Sequence, residues 1–145
     1  MDWISEPDPT WDAGKAAAFS PSGPALHGLG DPAPGTPLGD AWWRAEDDGE
    51  VRGYGRLDDT WGDAEVLVVV APEHRGAGVG SFVMEHLEQE AAARSLNYVY
   101  NVVPIAHPDP EPVRDWLAAR GFSPKESGEL RKRVTTHAAT TAPSQ

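Results

Sequence analysis

The sequence contains no cysteine among its 145 residues. This absence excludes disulfide bonds, zinc sites built on thiolates and a cysteine nucleophile, and it fits a reducing compartment. No segment approaches the roughly 18 consecutive apolar residues of a transmembrane helix, and the first ten residues, MDWISEPDPT, are acidic rather than basic. We therefore expect no membrane partner and no signal peptide, and we predict a cytoplasmic protein.

Basic side chains are also scarce. The chain has 12 Lys and Arg against 23 Asp and Glu, for a net charge of −11. This balance argues against a nucleic-acid partner, because neutralising phosphates needs an excess of basic residues. Residues 1–65 hold 14 acidic and 4 basic side chains, whereas residues 66–145 hold 9 and 8. The acidic half could attract a cationic small molecule, and it is also consistent with a solvated surface. The low lysine content, 3 against 9 arginines, is typical of a GC-rich bacterial genome.

The pattern of apolar and turn residues predicts one α+β domain over residues 1–137, followed by a disordered tail at 138–145. Thr10 is a candidate N-cap for a short helix. Residues 20–40 contain five prolines and five glycines, which predicts a loop. The segments AWWRAE and VRGYGRL predict a hairpin, with Trp42 and Trp43 on opposite faces of the strand and glycines that allow close packing.

The second half predicts a strand, loop, helix and strand in series. The apolar run EVLVVV is typical of a buried central strand. The stretch APEHRGAGVG follows it and leads into a helix, VGSFVMEHLEQEAAARS. One face of that helix carries residues at spacings of three and four: Val79, Phe82, Val83, Leu87 and Ala91. We further predict a strand NYVYNVV, a turn HPDPEP, a helix VRDWLAAR and a final strand ELRKRVTT, which is a possible dimerisation edge.

Glycines at the end of a buried strand, directly before a helix, indicate an anion site, because four unpaired amides and the helix dipole converge there. Arg75 adds a side chain suited to phosphate. A Walker loop is excluded because no lysine follows the last glycine. A dinucleotide loop needs a third glycine where Ser81 stands, and an acidic residue at the end of the next strand, which NYVYNVVP lacks.

The spacing Arg75, Gly78, Gly80 gives the pattern R-x-x-G-x-G, and here the sequence resembles the GNAT superfamily of acyl-CoA-dependent N-acetyltransferases. The later WLAARGF is similar to the family's helix that ends in Gly-Phe, and the likeness covers about residues 40–134. The resemblance implies a twisted mixed sheet flanked by helices, with acetyl-CoA as acyl donor. It implies that the pyrophosphate and pantetheine are bound by Val68, Val69, Val70, Arg75, Gly76, Ala77, Gly78, Val79, Gly80 and Ser81. No pair of the five histidines has the ligand spacing of a metal site with a carboxylate partner, so we expect no metal.

The resemblance also implies a reaction. Pantetheine would run beside the fourth strand, and the amide of Val69 or a neighbour would stabilise the oxyanion that forms as an amine attacks. Glu65, at the start of that strand, is the candidate general base, since some members place a catalytic glutamate there. Its other interpretation is a solvated carboxylate at a strand end. The acceptor pocket of the family is usually formed by the segment that corresponds here to residues 20–40.

Two positions depart from the family pattern. Pro110 stands where many members have asparagine, and Leu117 stands where many have the tyrosine that protonates the leaving thiolate. Tyr98, Tyr100 or His107 could replace that acid. The sequence therefore predicts transfer of an acetyl group to a small-molecule amine, with a non-catalytic acyl-CoA-binding module as the alternative.

Overall fold

A computed structural model describes residues 1–104, 107 and 109–135, and shows a mixed sheet of seven strands. The strands are β1 (Asp2–Glu6), β2 (Ala41–Asp47), β3 (Glu50–Thr60), β4 (Asp63–Val70), β5 (Tyr98–Val102), β6 (Ser123–Pro124) and β7 (Glu129–Arg133). Their order is β1-β2-β3-β4-β5-β7-β6, and every neighbouring pair is antiparallel except β4 and β5. This architecture confirms the predicted α+β fold. The predicted tail at 138–145 lies outside the described residues.

Helices cover both faces of the sheet. They are α1 (Ala13–Ala18), α2 (Val79–Ala93) and α3 (Pro110–Ala119), with short 3-10 helices at Pro24–His27 and Pro72–His74. One apolar cluster joins α2 and α3 to the sheet, and a second joins α1 to the opposite face. Within the described part of the chain, no helix is long and apolar enough to cross a membrane.

The α2 helix packs through the face that its sequence predicts. Val79, Val83, Leu87 and Ala91 are buried, as is Met84, whereas Phe82 is half-buried. The approach of α2 to β3 depends on glycine. A Cβ placed on Gly53 would lie 2.7 Å from the carbonyl oxygen of Val69 and 2.9 Å from Cγ1 of Val79. The prediction that glycines in VRGYGRL allow close packing is therefore confirmed.

The adjacent Trp42 and Trp43 lie on opposite faces of β2, as strand alternation requires. Trp43 belongs to the cluster under α2, and Trp42 belongs to the cluster under α1. Both are buried, so both serve the core.

Two local predictions are wrong, and one short strand was not predicted. The N-cap of α1 is Asp12, whose side chain accepts from the Lys15 N–H at 2.8 Å, whereas Thr10 forms an isolated bridge with Pro37. The α3 helix begins at Pro110 inside the predicted turn, because proline is tolerated in a first helical turn. The two-residue strand β6 lies between α3 and β7, too short to leave a periodic signal.

The sheet divides beside β4. The parallel register between β4 and β5 contains three pairs, from Asp63 with Tyr98 to Glu65 with Tyr100. Directly after it, the Asn101 side chain on β5 donates from Nδ2 to the Val66 carbonyl at 2.7 Å. Beyond this bond the edge of β4 that faces away from β3 lines a cavity.

Candidate active site

The cavity beside β4 has a volume of about 660 Å³. Residues 66–70 of β4 form one wall, and the glycine loop at the start of α2 forms one end. Residues of α3 and of 18–27 form further parts of the wall, together with Met84 of α2 and with Asn101, Val103, Pro104 and His107 from β5 and the segment after it. This size is within the range of about 300–1,000 Å³ that is typical of ligand pockets.

Glycine is required in the loop for two different reasons. Gly76 and Gly78 have φ of +81° and +83°, which L side chains rarely adopt, and Gly78 is the N-cap of α2. Gly80 has helical geometry, but a Cβ placed there would lie 3.3 Å from Cζ2 of Trp116 on α3. The loop thus allows the left-handed turn into α2, and α3 packs closely against its end.

The free amides of α2 lie at the end of the cavity that the glycine loop forms. The first intrahelical bond of α2 runs from the Phe82 N–H to the Gly78 carbonyl, at 3.1 Å. The amides of Val79, Gly80 and Ser81 precede it, so they have no partner of this kind. Together with the helix dipole they can bind an anion.

Most of the residues predicted to bind coenzyme A line the cavity: Val68, Val69, Val70, Arg75, Gly76, Gly78, Gly80 and Ser81. Two others lie apart from it. Ala77 is exposed on the loop, and the Val79 side chain is buried in the core, so only their main-chain groups can serve the ligand. Glu65 is not part of the cavity wall.

Strand alternation decides which groups of β4 face the cavity. The Ala71 N–H donates to the Arg52 carbonyl at 2.9 Å, so every second residue back from Ala71 turns its main-chain groups toward β3. Val69 is one of these, whereas Val66, Val68 and Val70 face the other way. Two bonds agree with this assignment, since the Val66 carbonyl accepts from Asn101 and the Val70 carbonyl accepts from Arg75. The neighbours of Val69, rather than Val69 itself, therefore offer amides to a ligand.

Arg75 connects three parts of the site. Its Nε donates to the Val70 carbonyl at 3.3 Å, and an Nη donates to the Ser20 carbonyl at 3.4 Å. The side chain is exposed, so its guanidinium can also reach a phosphate. Arg75 thus links the end of β4, the glycine loop and the segment at 20–40.

A second arginine near the loop was not found from the sequence. The Arg120 guanidinium stacks 3.9 Å from the centre of the Trp116 ring and donates to the Ser81 hydroxyl. It brings positive charge to the first turn of α2 from a helix that is remote in sequence. No spacing rule could have identified it, because the contact depends on the packing of α3 against α2.

Glu65 lies on the face of the sheet that α1 covers, in a group of charged residues. Its Oε1 is 3.4 Å from an Nη of Arg56, which is 5% exposed and lies 3.6 Å from Asp40 Oδ2. Burial raises the pKa of Asp40, and the nearby Asp58 raises it further. Burial likewise raises the pKa of Tyr100, with Glu65 as the next cause. The predicted base is thus held by an arginine outside the cavity wall.

The candidate positions for a general acid differ in whether they line the cavity. Leu117 is buried and lines the cavity with a hydrocarbon side chain. Tyr98 packs under Arg131 and Arg133, and neither Tyr98 nor Tyr100 lines the cavity. Among the three substitutes considered, His107 alone does so. In the described ranges, no group of three or more histidine or carboxylate side chains could hold a metal ion.

His27 also lines the cavity, and the sequence did not single it out. It ends the 3-10 helix inside the segment rich in proline and glycine, and its ring meets the Phe19 ring edge-on with centroids 5.6 Å apart. The only available signal was its place in the segment expected to form the acceptor pocket.

Comparisons with known proteins identify the family and the fold. The family model described as "Acetyltransferase (GNAT) family" matches residues 3–122. The ribosomal-protein-S18-alanine N-acetyltransferase of Escherichia coli aligns with a TM-score of 0.59 at 12% identity, covering 92% of this chain and 95% of the other. The ribosomal-protein-alanine N-acetyltransferase of Brucella melitensis aligns with a TM-score of 0.55 at 21% identity, covering 66% and 69%.

A further neighbour was solved as a complex. The phosphinothricin acetyltransferase of Sinorhizobium meliloti, in complex with AcCoA, aligns with a TM-score of 0.54 at 22% identity, covering 70% of this chain and 65% of the other. At these identities the structural neighbours establish a shared fold. No protein of curated function matches the chain significantly.

Proposed function

Because the chain belongs to the acetyltransferase (GNAT) family, we propose that it transfers an acetyl group from acetyl-CoA directly to the amine of a small molecule. The observation that carries this proposal is the shape of one cavity. It joins the amides at the start of α2 to the open edge of β4, and it extends to residues 18–27. Donor and acceptor can therefore meet in a ternary complex.

The pyrophosphate of the donor fits the glycine loop. The three unpaired amides of α2 and the Arg75 guanidinium offer charge-assisted hydrogen bonds, which are stronger than neutral ones. The Arg120 guanidinium, bonded to Ser81, adds a second positive charge nearby. These groups support the sequence-based assignment of the loop to coenzyme A.

The pantetheine arm fits the free edge of β4. An extended ligand with amide groups can bond to the main chain of a strand edge as a further strand would. Val68 and Val70 turn their main-chain groups toward the cavity, and the Asn101 side chain closes the edge where β5 begins to diverge. In this arrangement an N–H of Val68 or Val70 is the proposed donor to the thioester oxygen, and such a donor lowers the barrier by about 3 kcal/mol.

Binding of the donor is the first test. Calorimetric titration of the purified protein with acetyl-CoA, coenzyme A and NAD should give micromolar binding for the first two and none for NAD. Turnover is then measured with a panel of amines by detection of the released thiol. Absence of acetyl-CoA binding would refute the proposal at its first step.

The second candidate is a non-catalytic module that binds acyl-CoA. It is favoured by the buried Leu117, which places a hydrocarbon where many relatives have an acidic hydroxyl. Turnover of any amine that depends on the cavity residues would exclude it, whereas tight acetyl-CoA binding without turnover across the panel would support it.

A further inference from the structure

The described wall of the cavity holds three titratable side chains: Arg75, His27 and His107. An arginine remains protonated in proteins, so it cannot accept a proton at neutral pH. The proton acceptor predicted from the sequence, Glu65, instead bonds to Arg56 outside this wall. The two histidines are therefore the side chains of the wall that can exchange a proton with a bound amine.

The two histidines differ in hydrogen bonding. The backbone N–H of Asp109 donates to Nδ1 of His107 at 3.0 Å. A neutral imidazole has one nitrogen that accepts and one that carries hydrogen, so Nε2 of His107 carries it. The Asp109 amide thus occupies the lone pair of Nδ1, which leaves the Nε2–H of His107 as a donor for an oxygen or sulfur atom.

His27 has the opposite character. Burial lowers its pKa, and the neighbouring His107 and Arg56 lower it further. The imidazole is therefore neutral at pH 7 and has a nitrogen lone pair available. Phe19 packs edge-on against the His27 ring, and Arg75 donates to the Ser20 carbonyl earlier in the same segment.

We propose that His27 is the catalytic proton acceptor of the amine, and this inference rests on the acetyl transfer proposed above. The neutral amine nitrogen attacks the thioester carbon and forms the C–N bond. Its proton passes to the free nitrogen of His27, and the C–S bond breaks with its electron pair leaving on the coenzyme A sulfur. The products are the amide, the thiolate and an imidazolium that returns its proton to solvent.

The test compares His27→Gln with three matched variants in the full chain. His107→Gln alters the other histidine of the cavity, His86→Gln alters a half-buried histidine outside it, and Glu65→Gln removes the predicted carboxylate. Acetyl-CoA affinity is measured by calorimetry, and kcat at saturating amine is measured across pH. In wild type, kcat should fall with decreasing pH, with a midpoint below the ordinary histidine pKa of about 6.5.

We expect His27→Gln to lower kcat about 100-fold or more and to abolish this acidic limb, with acetyl-CoA affinity unchanged. His86→Gln should keep both the rate and the limb, whereas Glu65→Gln and His107→Gln should keep the limb. A proton NMR titration of wild type, with the His27 signal assigned in wild type itself by isotope labelling, should also give a midpoint below about 6.5. This measurement decides the matter even if one variant folds poorly.

Three results would overturn the inference. The first is full activity in His27→Gln, and the second is an acidic limb that disappears in Glu65→Gln. The third is a wild-type protein that binds acetyl-CoA and turns over no amine, which would favour the non-catalytic module. Failure of acetyl-CoA to bind is a different outcome, because it refutes the proposed function itself.

Discussion

Replacing Gly78 with tryptophan tests the link between the glycine loop and coenzyme A. Gly78 has φ of +83°, and no atom lies within 4 Å of a Cβ placed on it, so the indole can extend into the cavity without striking the core. The left-handed backbone costs an L residue about 1–2 kcal/mol. For a chain of this size, about 4 °C per kcal/mol predicts a melting temperature lower by about 4–8 °C.

Gly128 provides a matched control. It has φ of +91°, is equally open and does not line the cavity. Gly128→Trp should therefore show the same loss of thermal stability as Gly78→Trp. The pair separates the strain of the substitution from its effect on the ligand.

Binding should differ sharply between the two variants. An indole over the first turn of α2 would block at least two charge-assisted hydrogen bonds from its amides, each contributing about 1.5 kcal/mol. The total of about 3 kcal/mol corresponds to an affinity about 100-fold weaker. Calorimetry with coenzyme A should detect this in Gly78→Trp and find wild-type affinity in Gly128→Trp. Equal affinity in Gly78→Trp and wild type would refute the assignment of the loop.

Three further predictions concern stability. Lys15→Met should reduce the free energy of unfolding by about 3 kcal/mol. Lys15 is 1% exposed and its Nζ lies 2.7 Å from the Glu6 carboxylate, so the substitution leaves that carboxylate without its closest partner. Gly53→Ala should cost about 2 kcal/mol in urea denaturation, since the new methyl would clash with a backbone oxygen of β4. The pKa of His27 is lower in the folded than in the unfolded protein, so wild type loses stability as pH falls below about 6.5. His27→Gln should remove this contribution and flatten the dependence of stability on pH in that range.

Each of these predictions has its own check. The exposed Lys125 supplies a control for Lys15, and Lys125→Met should change stability by less than about 0.5 kcal/mol. If urea denaturation gives Gly53→Ala the same free energy of unfolding as wild type, α2 can move away from β3 at little cost. Parallel thermal melts at pH 5.5 and 7.5 measure the His27 effect, and an unchanged difference between them would contradict it.

The strongest sequence predictions were local ones. The apolar run of β4, the glycine loop and α2 follow one another directly, so their arrangement depends on contacts between near neighbours in the chain. The face of α2 was predicted for the same reason. The predicted N-cap of α1 was wrong because the side chains of both Thr10 and Asp12 can cap a helix. The choice between them depends on the bridge that Thr10 makes with Pro37.

The rest of the site depends on contacts that no spacing records. Glu65 lies near the start of β4, but the face it occupies depends on the register of β3 and on the buried Arg56. His27 reaches the cavity because its irregular segment is tied down elsewhere, for instance by the bond from Trp11 N–H to the Thr36 carbonyl at 2.8 Å. Long-range packing of this kind leaves no periodic pattern.

The division of the sheet beside β4 has a consequence for cooperativity. Strands β1 to β4 and strands β5 to β7 are two hydrogen-bonded groups, and the β-ladder between them contains only the three pairs from Asp63 to Glu65. Fluctuations that break this short ladder would leave each group intact. Amide hydrogen exchange should therefore show two protected regions, with weaker protection at the ladder between them. An extended molecule bonded along β4 would add hydrogen bonds next to this ladder, and its binding and release would change the strength of the coupling between the two halves of the sheet.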